Sequence, residues 1–214
     1  MKIDIEKSDI ISKYLDNLTK VANGAFDDAS KLIPIEDVTV FIRHEPKSVI
    51  PELGVGGYTP SSKEIYITVD AMNKDFTGFV IPNIYRTLLH EFHHNARWRG
   101  PGYGETLLEA LVTEGLADCF ELEVTGLKCQ PWDEALSKKK TDLLLKESET
   151  EFDTKYSHQD WFYGSEKRNI PRWAGYSLGF KIVDKYLREN PDKKPSNLYS
   201  ADAEIFRETA ETLI

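Results

Sequence analysis

The stretch that most constrains this chain is residues 88–94, which read LLHEFHH. It contains the spacing H-E-x-x-H, with His90 and His94 as the outer residues and Glu91 between them. Residues four apart on an α-helix lie one turn above each other, so both imidazoles can point at the same spot. Two converging neutral imidazoles are typical of a zinc site, and Glu91 is placed to activate a water molecule there. The segment therefore predicts a helix that carries two ligands of a metal ion.

The neighbouring residues predict which way this helix faces. A helix over about 83–98 collects its apolar side chains on one side, and these are Ile84, Tyr85, Leu88, Leu89, Phe92 and Ala96. His90, His94 and Arg97 fall on the opposite side. Core histidines would be expected among the apolar residues, so the histidine pair is predicted to face a polar space such as a cleft. His93 lies on the flank of this face, and we expect it at the surface or behind a ligand rather than on the metal.

A second predicted helix, over about 105–124, supplies the missing carboxylate. It carries the pattern E-x-x-x-D, in which Glu114 follows His94 by 20 residues and Asp118 lies one turn further on. A catalytic zinc needs three protein ligands and one open position, which His90, His94 and Glu114 would provide. Asp118 could accept a hydrogen bond from a ligand histidine and fix its tautomer.

Other side chains compete for the third ligand position. Glu121 lies on the Glu114 face but two turns further along, and Glu109 has no aspartate four residues after it. Cys119 is soft enough to bind zinc, but it lies about 100° around the helix from Asp118 and should point elsewhere. The two histidines could also form a solvated helix face without a metal. The E-x-x-x-D pattern favours the metal site.

The remaining sequence predicts an α+β fold with a small sheet edge beside a mainly helical body. Strands are predicted near 37–43, 54–59 and 63–69, where β-branched residues alternate with polar ones. The second and third strands would form a hairpin. The glycine-rich member would lie at a sheet edge, where its glycines either let another backbone approach or only permit a bend.

Further helices complete the body of a single predicted domain, residues 1–214. They are expected at about 7–32, 131–146, 172–189 and 202–213. Residue 126 is a glycine, which predicts the end of the second motif helix. Residues 147–159 are polar without clear periodicity, so this stretch is the candidate for a mobile loop or lid.

Composition excludes several classes of partner. The net charge is −9 and no basic stripe breaks the balance, which argues against nucleic acid. No apolar run is long enough to cross a bilayer, and residues 1–7 lack the apolar core of a signal peptide. Cys119 and Cys129 have no C-x-x-C spacing and are expected as reduced thiols. We therefore expect a cytoplasmic protein without a membrane partner.

The helix–loop–helix with H-E-x-x-H and E-x-x-x-D resembles the gluzincin metallopeptidases. More specifically, the chain is similar over about 54–190 to a family of small, mostly bacterial, predicted zinc-dependent proteases labelled a domain of unknown function. The matching stretches are GVGGYT at 54–59, LLHEFHH at 88–94, EALVTEGLAD at 109–118 and GYSLG at 175–179. The resemblance implies a zincin-like fold, zinc as cofactor, Glu114 as third ligand and Asp118 behind the ligands.

The expected function is that of a zinc metallopeptidase acting on peptides or a protein. Zinc lowers the pKa of bound water from 15.7 to about 7, and Glu91 takes the proton and passes it to the leaving amine. Tyr176 is the first candidate for the neutral donor that stabilises the oxyanion, followed by Tyr163 and His158. The strand over 54–59 is expected to bind the substrate backbone by strand addition.

Two other functions fit the same pattern. One is a regulatory or binding protein that keeps a zinc site without turnover, and the other is a zinc hydrolase of a non-peptide amide. A purely structural site has no use for Glu91, and structural sites usually close all four positions with cysteine and histidine. The sequence therefore favours a catalytic metal.

Overall fold

The computed structural model describes residues 1–214, and the chain divides into two compact units, Met1–Arg99 and Gly100–Ile214. The first unit contains the whole β-sheet, and the second is helical. The expected α+β class is confirmed. A single domain over 1–214 stays a prediction. No helix combines the length and the apolar character needed to cross a membrane.

A four-stranded mixed sheet is the centre of the first unit. Its strands, in the order β1-β2-β4-β3, are β1 (Lys2–Ile5), β2 (Thr39–His44), β3 (Val55–Ser61) and β4 (Glu64–Val69). β2 pairs in parallel with β1 and β4, whereas β3 pairs antiparallel with β4. The hairpin and the edge position of its glycine-rich strand are therefore confirmed. Sequence patterning misses β1, because four residues with two apolar side chains give too little alternation to recognise.

Three helices accompany this sheet: α1 (Asp9–Ser12), α2 (Leu15–Ala29) and α3 (Ile81–Arg97). The helix predicted over 7–32 is thus interrupted after residue 12 and ends at Ala29. A π-helical turn, Phe76–Val80, leads into α3. α3 packs against α2, β3 and β4. Its predicted apolar side is confirmed, because its buried residues include Ile84, Leu88, Leu89, Phe92 and Ala96.

The second unit is built from α4 (Leu107–Thr125), α5 (Lys138–Glu149), α6 (Ala174–Glu189) and α7 (Arg207–Glu211). A π-helical turn, Gln159–Tyr163, and two 3-10 turns, Pro195–Asn197 and Ala203–Phe206, connect them. α4 ends as predicted, with Gly126 at φ 63°. The helix predicted over 202–213 is shorter and begins as a 3-10 turn.

The prediction of a helix from residue 131 is wrong. Residues 131–137 form turns and loop, and α5 begins at Lys138 with the Ser137 hydroxyl accepting a hydrogen bond from the Lys140 N–H. The physical reason lies in Trp132, which is buried and donates its indole N–H to Asp118 instead of continuing a helix.

The candidate lid, residues 147–159, is fastened within the second unit. Phe152 is buried, and its carbonyl accepts a hydrogen bond from the Leu108 N–H at 3.3 Å. Arg168 bonds to Glu147 at 2.7 Å and also to Glu151. Movement of this stretch stays a prediction, and any opening has to break these contacts.

α4 and α6 meet backbone to backbone at two glycines. A Cβ on Gly115 would lie 2.2 Å from the carbonyl oxygen of Gly179, and a Cβ on Gly179 would lie 2.2 Å from that of Leu111. The absence of a side chain at Gly115 and Gly179 therefore lets the two helices approach closely. The second glycine of the GYSLG stretch is Gly179, and the crossing of α4 and α6 requires a glycine there.

Replacing Gly179 with alanine should lower the free energy of unfolding by at least about 1–3 kcal/mol, the usual range for overpacking. The new methyl group would meet the backbone carbonyl of Leu111, which cannot rotate away as a side chain can. Gly24→Ala on α2 is the matched control, because no atom lies within 4 Å of a Cβ there. It should raise the free energy by roughly 0.5–1 kcal/mol. Urea denaturation measures both variants, and equal effects would contradict the crossing.

Two buried aspartates lie close together in the second unit: Asp118 on α4 and Asp133 in the turns before α5. Trp132 Nε1 donates to Asp118 Oδ1 at 3.1 Å, and the Gln130 N–H donates to Asp133 Oδ2 at 2.6 Å. Burial and then the neighbouring Asp118 raise the pKa of Asp133 to about 10. The protonated form of Asp133 is therefore favoured in the folded protein.

The raised pKa of Asp133 makes stability depend on pH. Because the unfolded carboxyl has a pKa of about 3.9, folding takes up a proton, and this group's stabilising contribution is lost as pH rises toward the folded pKa. Asp133→Asn keeps an N–H donor but has no proton to lose. As the pH rises from 5 to 8, the free energy of unfolding of the variant should therefore increase relative to that of wild type, by at most about 1.4 kcal/mol per pH unit. Urea denaturation at both pH values tests this, and a constant difference would refute it.

Candidate metal centre

α3 brings His90 and His94 together, as the four-residue spacing predicts. Their Nε2 atoms lie 2.9 Å apart, and the ring planes are inclined by 83°. His94 is 6% exposed and His90 is half-buried. Each neutral imidazole has one unprotonated nitrogen, so two converging Nε2 atoms can offer two lone pairs to one cation.

The carboxylate of Glu114 joins the two histidines. The ligand atoms of His90, His94 and Glu114 all lie within 4.8 Å of one another. Two imidazoles and one carboxylate form a donor set that catalytic zinc uses. These side chains form a cluster that could bind a metal ion.

A tyrosine that sequence reasoning missed holds the Glu114 carboxylate. Tyr103 Oη donates to Glu114 Oε1 at 2.5 Å, and Thr113 Oγ1 donates to the Tyr103 carbonyl at 3.1 Å. Burial and then the charge of Glu114 raise the pKa of Tyr103 well above its usual value, so the phenol stays a donor. Its place in the loop sequence GPGYG gives no signal of this contact.

The Glu91 carboxylate lies against β3 and is 5% exposed. Thr59 Oγ1 donates to Glu91 Oε2 at 2.6 Å. A Cβ on Gly57 would lie 2.4 Å from Glu91 Oε1, so the absence of a side chain at Gly57 leaves room for the Glu91 carboxylate. At Gly56 a Cβ would lie 2.5 Å from the Ser48 carbonyl oxygen, so at this glycine another backbone does approach, which is one of the two alternatives that the sequence left open.

Two of the three candidate oxyanion donors lie close to Tyr103. Tyr176, in the first turn of α6, is close enough to contribute to the raised pKa of Tyr103. The ring centre of His158 lies 5.9 Å from that of Tyr103 and 4.4 Å from that of Phe162, on which it stacks. Tyr163 is 57% exposed. The role of oxyanion donor stays a prediction for each of them.

The rival third ligands have other contacts. Glu109 closes a capping box with Thr106 at the start of α4, and Glu121 Oε2 accepts a hydrogen bond from Gln130 Nε2 at 3.0 Å. Cys119 lies in the apolar core of the second unit, and burial raises the pKa of its thiol. It is therefore a packed thiol and not a thiolate.

Two of the predictions concern residues beside the cluster, His93 and Asp118. His93 was expected at the surface or behind a ligand; it is fully buried, which excludes the surface and leaves a place behind a ligand as a prediction. Every residue of α3 from Glu91 to Arg97 is buried. The contacts of Asp118 described above are with Trp132 and Asp133. Its hydrogen bond to a ligand histidine stays a prediction.

Comparisons with known proteins give one match. No curated protein and no solved structure matches the chain. A family model described as "Predicted Zn-dependent protease (DUF2268)" matches residues 18–208, which include the three residues of the cluster. Because the match covers most of the sequence, the chain belongs to this family of predicted zinc-dependent proteases.

Proposed function

We propose that this protein is a zinc metallopeptidase that hydrolyses peptide bonds. The observation that carries the proposal is the cluster of His90, His94 and Glu114, with Glu91 next to His90 on α3. Three ligands leave a fourth position open, which a structural zinc site would close. A buried carboxylate beside such a cluster suits general-base catalysis.

The three ligand side chains would hold zinc through His90 Nε2, His94 Nε2 and a Glu114 oxygen. Bound zinc polarises the scissile carbonyl and lowers the pKa of water to about 7. The Tyr103 hydroxyl donates to Glu114 Oε1, and the carboxylate keeps further lone pairs for a cation. Because Tyr103 is a neutral donor, it orients the carboxylate without cancelling the negative charge that attracts the cation.

Glu91 would act as the general base and acid of the reaction. Its carboxylate accepts the proton of the attacking water and returns it to the nitrogen of the leaving amine. This shuttle needs a carboxylate in one fixed place during both steps, and the contacts with β3 provide that restraint.

The outer edge of β3 is the proposed binding site for an extended substrate. The Asp70 N–H donates to the Gly54 carbonyl, so alternate residues from Gly54 onward turn their backbone toward β4, and those between turn it outward. Among the outward carbonyls, that of Val55 accepts from Ile50 and that of Thr59 accepts from Trp98 Nε1. The exposed Gly57 between them presents its N–H and C=O to a peptide strand.

Tyr176 remains the proposed oxyanion donor, with His158 as the alternative. What supports both is their closeness to Tyr103, whose hydroxyl contacts the Glu114 carboxylate. A hydroxyl or imidazole N–H aimed at the developing oxyanion would stabilise the transition state.

Metal analysis of the purified protein should give about one zinc ion per chain. Loss of a hydrogen bond to a metal ligand weakens metal binding by about 10- to 100-fold. Glu114→Gln should weaken zinc binding by more than this, because it changes a ligand itself. Glu121→Gln is the matched control on the same helix and should keep its zinc. A metal-free wild-type protein that refuses added zinc would refute the proposed site, as would equal zinc loss in both variants.

Glu91→Gln should retain zinc and lower the hydrolysis of a broad peptide library by about 10²- to 10⁴-fold, the usual contribution of general acid–base catalysis. The amide keeps the size of the side chain but cannot take up the proton. Library cleavage followed by mass spectrometry measures the change. If wild type binds zinc and cleaves no peptide, the protein is a zinc-binding protein or acts on another amide.

A further inference from the structure

We propose that Thr59 is the positioning residue of Glu91: its hydroxyl holds the carboxylate in the orientation that proton transfer requires. This inference rests on the proposed function, because it takes Glu91 as the base. Thr59 belongs to the GVGGYT stretch. The sequence alone left open whether the glycines of this stretch let another backbone approach or only permit a bend.

The Thr59–Glu91 hydrogen bond has the geometry of a strong contact. Thr59 Oγ1 lies 2.6 Å from Glu91 Oε2 and 3.2 Å from the Glu91 carbonyl oxygen. A hydroxyl has one proton, and the shorter contact falls in the range of about 2.5–2.7 Å typical of O–H···O⁻ bonds. Both residues are 5% exposed. Water therefore has little access to replace the hydroxyl.

Thr59 is itself firmly held. Its carbonyl accepts a hydrogen bond from Trp98 Nε1 at 2.8 Å, so strand and helix are joined both at Glu91 and at the end of α3. The pairing of β3 with β4 shifts register between Tyr58 and Ser61, around Thr59. Such irregularities re-aim side chains next to active sites. Threonine also has few χ1 rotamers, which fixes where its hydroxyl points.

The second oxygen of Glu91 is placed by the same strand. A Cβ at Gly57 would lie 2.4 Å from Glu91 Oε1 and 2.7 Å from Thr87 Cγ2, so any larger residue would displace the carboxylate. One oxygen is thus held by a hydrogen bond, and the other occupies space that a glycine leaves. β3 therefore orients Glu91, and the same strand presents Gly57 to the substrate.

The test compares Thr59→Val, which removes the hydroxyl at nearly constant shape, with Thr59→Ser, which restores it. Thr68→Val on β4 is the matched control, because the Thr68 hydroxyl donates to the Ser48 carbonyl at 2.7 Å and not to Glu91. Thr59→Val should lower kcat by about 10- to 100-fold, as a small misplacement of a reacting group does. KM and zinc content should stay at wild-type values, and Thr59→Ser and Thr68→Val should remain within a few-fold of wild type.

A double-mutant cycle separates positioning from a general effect on folding. In the Glu91→Gln background, Thr59→Val should not lower kcat further, because the base it positions is gone. In metal-free protein, the shifts of the urea midpoint caused by Thr59→Val and Glu91→Gln should be less than additive.

The outcomes distinguish the two proposals. An unchanged kcat in Thr59→Val, or the same fold loss in the Glu91→Gln background, overturns the positioning role while the peptidase proposal stands. A wild type that binds zinc and cleaves no peptide overturns the peptidase proposal and the catalytic part of this one. Additive midpoint shifts overturn the coupling between Thr59 and Glu91 whether or not the protein cleaves peptides.

Discussion

The candidate metal centre depends on one constraint of the α-helix, which places residues four apart on the same face. His90 and His94 can share a cation only while α3 is held in place, and its packing against α2, β3 and β4 holds it. The indole of Trp98 adds a hydrogen bond to β3 just past the end of the helix. A rigid helix allows two side chains with several rotatable bonds to present their Nε2 atoms 2.9 Å apart.

Each carboxylate of the two motifs accepts a hydrogen bond from a neutral donor outside the motifs. Glu91 accepts from the Thr59 hydroxyl, Glu114 from the Tyr103 hydroxyl, and Asp118 from the Trp132 indole. A cationic donor such as arginine or lysine would orient the carboxylates equally well but would oppose a bound cation. Neutral donors such as these orient a carboxylate without adding a positive charge beside it, which suits a candidate metal centre.

Sequence reasoning predicted what depends on local periodicity and missed what depends on packing between distant segments. The bounds of α3 and α4, the β3–β4 hairpin and the stop at Gly126 follow from side-chain patterns within a few turns. Tyr103 could not be identified as the partner of Glu114, because loop residues acquire their contacts from the folded chain. The false helix over 131–137 has the same origin, since the burial of Trp132 overrides local preference. The glycines at 57 and 179 show the same limit, because each is required by the atom that approaches it.

X-ray absorption spectroscopy of the zinc-loaded protein can identify the metal ligands. We expect two imidazole ligands at about 2.0–2.1 Å, together with oxygen at about 2.0–2.2 Å and no sulfur. A sulfur shell near about 2.3 Å, which would bring in Cys119 or Cys129, or a first shell without two imidazoles, would contradict it.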